Sequence, residues 1–410
     1  MNKNSFKPLI PKTNIAIFLL IAMLAGFLFS RAVLSVAMIL FGVNALWNIH
    51  PKKWLKEKWW LWGVAWIAVF AISFFWSDDK AYWTEHLQVK LPILLLPLSF
   101  AFLPAFSKKQ LYIYTIALII FLSFGIAYSM YFLFTQPAHY IEGYRFSNVL
   151  PTLPKNEHIR FTLSLALGVV WLCYMLPVIE KKWFKRITLI IVILWSLAIH
   201  IYAVRTGLLA FYLFIAAYLI FLLYKKQTRL LGFSLVIGIC ISAMLAFMFV
   251  PTLKNRVDHF KWSVQVFEEG KRDPNYGDIG RYISYDLAWK IIKQHPLNGV
   301  GAGDIFYEMN EKYDRFYPQI KKDLRLIPHN QPLIIAVASG IPSMLVFLIW
   351  LFYPLKELKK NRAGFFFFIT WIILMIPIMV EPVLEIQFGI FVYLFFLLIQ
   401  RQVMQKTAED

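Results

Sequence analysis

About a dozen apolar stretches, most of them close to twenty residues long, follow one another along this chain, and that succession limits the fold more than any single motif does. A helix needs about 20 mostly apolar residues to cross the roughly 30 Å hydrocarbon core of a bilayer. Runs of this kind lie at 14–30, 32–48, 59–76, 88–106, 111–134, 159–179, 187–204, 206–224, 231–250, 330–352, 364–380 and 386–400. Unpaired backbone cannot face lipid, and the strands of a barrel would be shorter and would alternate, so the runs predict helices. Composition agrees, with 60% hydrophobic and 16% charged residues, against about 45–50% and about 25% in soluble domains. An ordinary cytosolic enzyme, a disordered chain and a small secreted scaffold are excluded. The expected fold class is an all-α integral membrane protein with about 12 transmembrane helices. The first run continues into a second with no small-residue cleavage pattern, so it reads as a span rather than a signal peptide.

The chain carries 42 Lys and Arg against 23 Asp and Glu, a net charge of +19. In a soluble protein this would suggest nucleic acid. Here the basic residues fall between apolar runs, where they set membrane orientation. The connections after every second run read HPKKWLKEK, SKKQ, EKKWFKR, KKQTR and KELKKNRA. The short alternate connections hold few cations: Arg31, Lys80, Lys90, Arg145, Lys155, Arg160 and Arg205. The positive-inside rule then places both termini in the cytoplasm and residues 251–328 outside, in the periplasm if the chain sits in a bacterial inner membrane.

Three regions follow: a bundle over 1–250, an outer helical cap over 251–328, and spans plus a cytoplasmic tail over 329–410. Within the cap, apolar positions such as Ile283, Leu287 and Ile291 recur at helical spacing and predict helices over 254–269 and 281–294. PLNGVGAGD reads as a flexible turn, with Asp304 as N-cap of a third helix over 305–316. Cys173 and Cys240 both lie in apolar runs, so no disulfide framework is expected.

The residues with chemical potential gather at the expected outer end. Arg205 sits in LAIHIYAVRTGLLAFYLF, where the turn between two spans is almost absent. It reads either as a snorkelling anchor or as a clamp that forks onto phosphate. Arg281 opens GRYISYDLAWKIIKQ and Arg160 lies in NEHIRFTLSL. Arg281 is either on the solvated face of an amphipathic helix or a second cation for the same phosphate, and Arg160 is either a boundary charge or a third cation. His329, in LIPHNQPLIIAVASGIP, stands where the outer segment re-enters the membrane. It is either an interfacial side chain or a base that takes a proton from a hydroxyl, with Asn330 to orient it or to bind sugar. Glu381 and Glu385 occupy the outer turn VEPVLEIQFG. They either mark the water interface or position an acceptor hydroxyl. HExxH, paired CxxC and Walker patterns are missing, so neither a metal site nor a nucleotide cofactor is expected.

Taken in order, these pieces resemble the O-antigen ligase and O-antigen polymerase family. The resemblance rests on the Arg205 turn, on Arg281 with HPLNGVGAG (295–303), and on PHN followed by LIIAVASGIPSMLVF (328–347). It is good over about 190–350, extends to NEHIRF and EPVLEIQFGIF, and is one of count alone in the first four spans. It implies a lipid-linked, C-type membrane glycosyltransferase of lipopolysaccharide biosynthesis in the cell envelope. Such enzymes take a glycan from undecaprenyl diphosphate at the outer leaflet. Ligases pass it to a sugar hydroxyl of lipid A-core, and polymerases pass it to another carrier-bound repeat. The family's essential arginines map onto Arg205 and Arg281 and its histidine onto His329, with no metal implied. VRTG departs from the serine that precedes the arginine in many members.

The chemistry of the residues leads the same way. A departing diphosphate gathers negative charge, which fixed guanidinium groups stabilise more in the transition state than before it. Attack opposite the leaving group inverts the anomeric centre. A transporter or flippase for the same lipid-linked glycan is the rival reading. Few charges lie mid-span and no inverted repeat is visible, which speaks against it.

Overall fold

The computed structural model describes residues 11–47, 49–144, 148–224, 229–249, 251–268 and 277–406. Arg145, part of the basic connection KKQTR, both extreme termini and the side chain of Cys240 fall outside them. Every regular element among the described residues is helical. The order is α1 (Lys12–Phe29), α2 (Arg31–Leu46), α3 (Lys58–Ile72), α4 (Lys80–Lys90), α5 (Pro92–Phe102), α6 (Lys108–Thr135), α7 (Pro137–Gly143), α8 (His158–Met175) and α9 (Lys182–Tyr202). There follow α10 (Arg205–Tyr224), α11 (Arg229–Phe249), α12 (Pro251–Glu268), α13 (Gly277–Gln294), α14 (Ile305–Phe316), α15 (Gln331–Phe352), α16 (Arg362–Val380) and α17 (Gln387–Lys406).

Nine helices among the described residues are long and apolar enough to cross a membrane. The chain is an all-α integral membrane protein. The helix α2 is apolar but shorter, at 16 residues, and α11 adds 21 more. The run expected at 88–106 is not one span. Pro92 cannot donate to the helical ladder, so α4 ends at Lys90 and α5 covers 11 residues, about 16 Å of helix. Helices α12, α13 and α14 lie within a few residues of the ranges expected at 254–269, 281–294 and 305–316.

Contacts sort the connections into two ends. At one end, the α1–α2 turn meets the start of α8 through Arg31 and Glu157, 3.8 Å apart. There the start of α8 also meets the α16–α17 turn through Arg160 and Glu381, at 3.2 Å. At the other end Tyr112 donates to Val178 O at 2.5 Å, and Gln402 to Pro104 O at 3.0 Å. There too Arg401 Nε reaches Glu357 at 2.6 Å. The first set joins cation-poor connections and the second joins basic ones, so the alternation read from charge is also the alternation in space. The bundle packs around α8, whose residues Phe161 through Met175 are all buried, the pattern of a helix apolar on every side.

Helix α15 is broken. Ser339 and Gly340 leave helical geometry, Gly340 with φ +83°. The segment before α14 repairs the gap: Val300 N donates to Val337 O at 2.9 Å, Gly301 N to Ala338 O at 3.0 Å, and Ile341 N to Pro296 O at 2.8 Å. Residues 299–304 therefore form a plug in the break, because inside the protein freed backbone groups must find partners, while Pro296, Leu297 and Asn298 make the exposed turn that the sequence predicts. Asp304 does not cap α14 with its side chain. Its carboxylate instead accepts from the amides of Asp78 and Asp79 at 2.8 and 3.0 Å, which fastens the plug to the turn before α4.

Candidate functional site: a guanidinium cluster beside a buried histidine

The PHN segment directly before α15 is set by its own chemistry. Asn330 caps α15, its Oδ1 accepting from Leu333 N at 3.0 Å, and Pro332 supplies the φ that a first helical turn requires. The amide side of Asn330 donates to Met379 O at the end of α16, at 3.0 Å. One half of its carboxamide thus caps α15 and the other ties that cap to α16. Directly before it, His329 is held from two directions. Its Nδ1 lies 2.9 Å from Ile327 O, and its own carbonyl accepts from Tyr285 Oη at 2.7 Å. A carbonyl can only accept, so Nδ1 carries a proton and the neutral ring keeps its lone pair on Nε2.

Tyr285 lies one helical turn after Arg281 on α13, so one face of that helix brings both towards His329. Arg281 Nη2 is 3.9 Å from Glu381 Oε1. Arg160, in the first turn of α8, is 3.2 Å from the other oxygen of the same carboxylate. Arg160 also stands 3.4 Å from Glu157, which in turn is 3.8 Å from Arg31. Glu381 has only 7% of its side chain exposed and Arg160 15%, so the charges interact where water screens them weakly. Burial lowers the pKa of His329, and the guanidiniums of Arg281 and Arg160 lower it further. The Ile327 carbonyl and Glu381 pull the other way. Burial raises the Glu157 carboxyl, with Arg160 and Arg31 opposing.

Arg205 is the first residue of α10. The preceding turn is as short as the sequence indicates, with Ala203 in left-handed geometry at φ +48°. Gly207, in the first turn of α10, lies against Thr162 of α8, and a Cβ on it would sit 2.8 Å from the Thr162 Cβ. The starts of α8 and α10 are therefore neighbours, and Arg205 enters at the same end as Arg160.

Glu385 belongs to a different arrangement. Its carboxylate meets Lys90 Nζ at 2.5 Å, His86 Nδ1 at 2.9 Å and Gln331 Nε2 at 2.8 Å. The Gln331 carbonyl oxygen accepts from Leu384 N at 2.8 Å. Burial alone would raise the Glu385 carboxyl, but Lys90 and His86 hold it well below the usual carboxylate range. This network fixes the α16–α17 turn against the N-terminus of α15, and so sets the spacing between Glu381 and His329.

Of the residues singled out in the sequence, Arg160, Arg281, Glu381 and His329 form one electrostatic neighbourhood. Arg205 lies at the same end, Asn330 is spent on helix capping and bridging, and Glu385 on the brace. Glu157, Arg31, Tyr285, Lys90 and His86 were missed. The fully buried Lys90 had the clearest signal, a lysine inside the apolar run VKLPILLLPL. Among the described residues no cluster of three or more His, Cys, Asp or Glu is arranged to hold a metal ion.

A family model described as O-antigen ligase matches residues 189–348. That stretch runs from α9 into α15 and contains Arg205, Arg281 and His329, while Arg160 and Glu381 lie outside it. Among curated proteins, none matches the chain significantly.

Proposed function

We propose, for a chain whose residues 189–348 match a family model described as O-antigen ligase, that it transfers a glycan from undecaprenyl diphosphate to a sugar hydroxyl of lipid A-core. The reaction takes place at the outer, periplasmic face of a bacterial inner membrane. Arg281 and Arg205 receive the diphosphate, and Arg160 supports them. His329 Nε2 accepts the proton of the acceptor hydroxyl, whose oxygen forms the new bond to the anomeric carbon. The bond from that carbon to the phosphate oxygen breaks, its electron pair leaves with the diphosphate, and the centre inverts. Guanidinium groups carry the neutralisation, so the reaction as proposed needs no metal. Glu381 aligns the two arginines, and Asn330 and Glu385 act on His329 and Glu381 by position.

One observation carries this reading: Arg160 and Arg281, from helices far apart in the chain, share the carboxylate of Glu381 beside an imidazole that burial keeps neutral. A base with a free lone pair next to clustered cations is what a hydroxyl attacking a phosphate-linked sugar requires. The test is transfer in proteoliposomes that hold a lipid-linked glycan and lipid A-core. Arg281→Ala and His329→Ala each lose at least about 100-fold in rate while inserting normally. Wild-type rates in both remove the proposal, and chains lengthened on the carrier instead of attached would redirect it to polymerisation.

A further inference from the structure

A cavity of about 480 Å³ opens beside the guanidinium cluster, between α7 and the segment that leads into α8. His139, Tyr140 and Gly143 line it from α7, and Asn148, Asn156 and His158 from the following segment. Small-molecule sites occupy about 300–1,000 Å³, so the volume suits a short saccharide.

The lining selects among ligands. Among the described residues that line it there is no carboxylate, lysine or arginine. A phosphate calls for cations, and a lipid chain calls for an uninterrupted apolar wall. What the cavity offers is two carboxamides, two imidazoles and a phenol. Each carboxamide donates and accepts at once, as neighbouring sugar hydroxyls do, and the ring of Tyr140 provides a flat apolar face with a polar tip.

Its location ties it to the ion cluster through three consecutive residues. Asn156 and His158 line the cavity, while Glu157 between them turns inward to Arg160 and Arg31. Asn156 makes this reversal in left-handed geometry, φ +64°, which asparagine adopts more readily than most residues.

We propose that this cavity is a neutral-saccharide subsite that holds a sugar unit next to the bond being made. The inference rests on the transferase reading and deepens it. A sugar unit could belong to the donor glycan or to the acceptor, and the same chemistry serves both.

Two probes separate these sources: oligosaccharide released from lipid A-core, and glycan cleaved by mild acid from the polyprenyl carrier. Their binding to the full chain in bilayer nanodiscs is read by saturation-transfer NMR. Asn148→Ala and Asn156→Gly, the latter keeping the backbone unstrained, each weaken one probe by about tenfold. Gly238→Ala, where an added Cβ meets nothing within 4 Å, leaves that binding unchanged. Weakening of the core oligosaccharide assigns the subsite to the acceptor, and weakening of the released glycan assigns it to the donor. Unchanged binding of both probes in the Asn148 and Asn156 variants overturns the proposal. Binding needs no turnover, so a chain that binds saccharide here but transfers nothing keeps the subsite and loses the transferase reading. A chain that transfers normally while both variants bind as wild type loses only the subsite.

Discussion

Arg160 Nη2 stands 3.2 Å from Glu381 Oε2, which locks the first turn of α8 to the turn between α16 and α17. With Arg281 on the other oxygen of that carboxylate, one acidic group fixes the direction of two guanidiniums. Glu381→Gln should therefore weaken catalysis without removing any cation. The expected loss is about 10- to 100-fold in kcat/KM for transfer. Thermal unfolding should also show a cost of about 1–3 kcal/mol from the charges left less well paired. A variant equal to wild type in both measurements would show that the pairing orients nothing.

The pH profile should report His329. Its pKa lies below the ordinary 6.5, so the base stays neutral, and activity persists, on acidification past that value. The acid limb of kcat/KM then falls below pH 6.5. Arg281 depresses the imidazole pKa and Glu381 raises it. Arg281→Gln should consequently move the acid limb up in pH, and Glu381→Gln should move it down. Residual transfer measured from pH 4.5 to 8 checks both signs, and limbs that shift together or not at all contradict the assignment of the base.

The Lys90–Glu385 pair, at 2.5 Å with Lys90 fully buried, should behave as a buried ion pair. Lys90→Met leaves the carboxylate without its main counter-charge and should cost about 3–5 kcal/mol. Lys90→Met with Glu385→Gln should recover more than half of that, since the amide still has His86 and Gln331 as partners. Thermal unfolding in detergent gives the comparison, and a double variant no more stable than the single one would show that the two charges do not stabilise each other.

Much of this architecture can be read from residues alone. Lipid forces the helices, the basic connections give their alternation, and the periodicity of Ile283, Leu287 and Ile291 predicts α13. His329 was readable because an imidazole at a span boundary is costly enough to need a reason, and Arg281 stood out only through the family resemblance. The arrangement around them was not. Glu157 and Arg31 are unremarkable in sequence, and nothing local tells Glu381, which faces the arginines, from Glu385, which faces Lys90. They lie four residues apart in one turn, and only the packing of α4 and α15 separates their roles. Asp304 misled for a similar reason: an aspartate before a helix usually caps it, but here two amides from a distant turn compete for the carboxylate.

The break in α15 should be intolerant of any side chain at Gly340. A Cβ there would sit 2.0 Å from Leu297 O, at φ +83°. Gly340→Ala should cost at least about 3 kcal/mol and sharply reduce the amount of folded protein in membranes. Gly238 in α11 has nothing within 4 Å of a Cβ, so Gly238→Ala should be neutral or slightly stabilising. Equal accumulation of the two variants, measured by fluorescence-detected size exclusion, would contradict the plugged geometry.

The central claim is that cations from separate helices and the His329 imidazole serve one diphosphate-linked sugar. A cryo-EM structure of the full chain with a phosphonate analogue of a polyprenyl diphosphate sugar tests it most directly. The account predicts phosphorus density between Arg281 and Arg205, within reach of Arg160, and His329 Nε2 facing the anomeric carbon. Density at the opposite, lysine-rich end of the bundle, or bound away from His329, would contradict it.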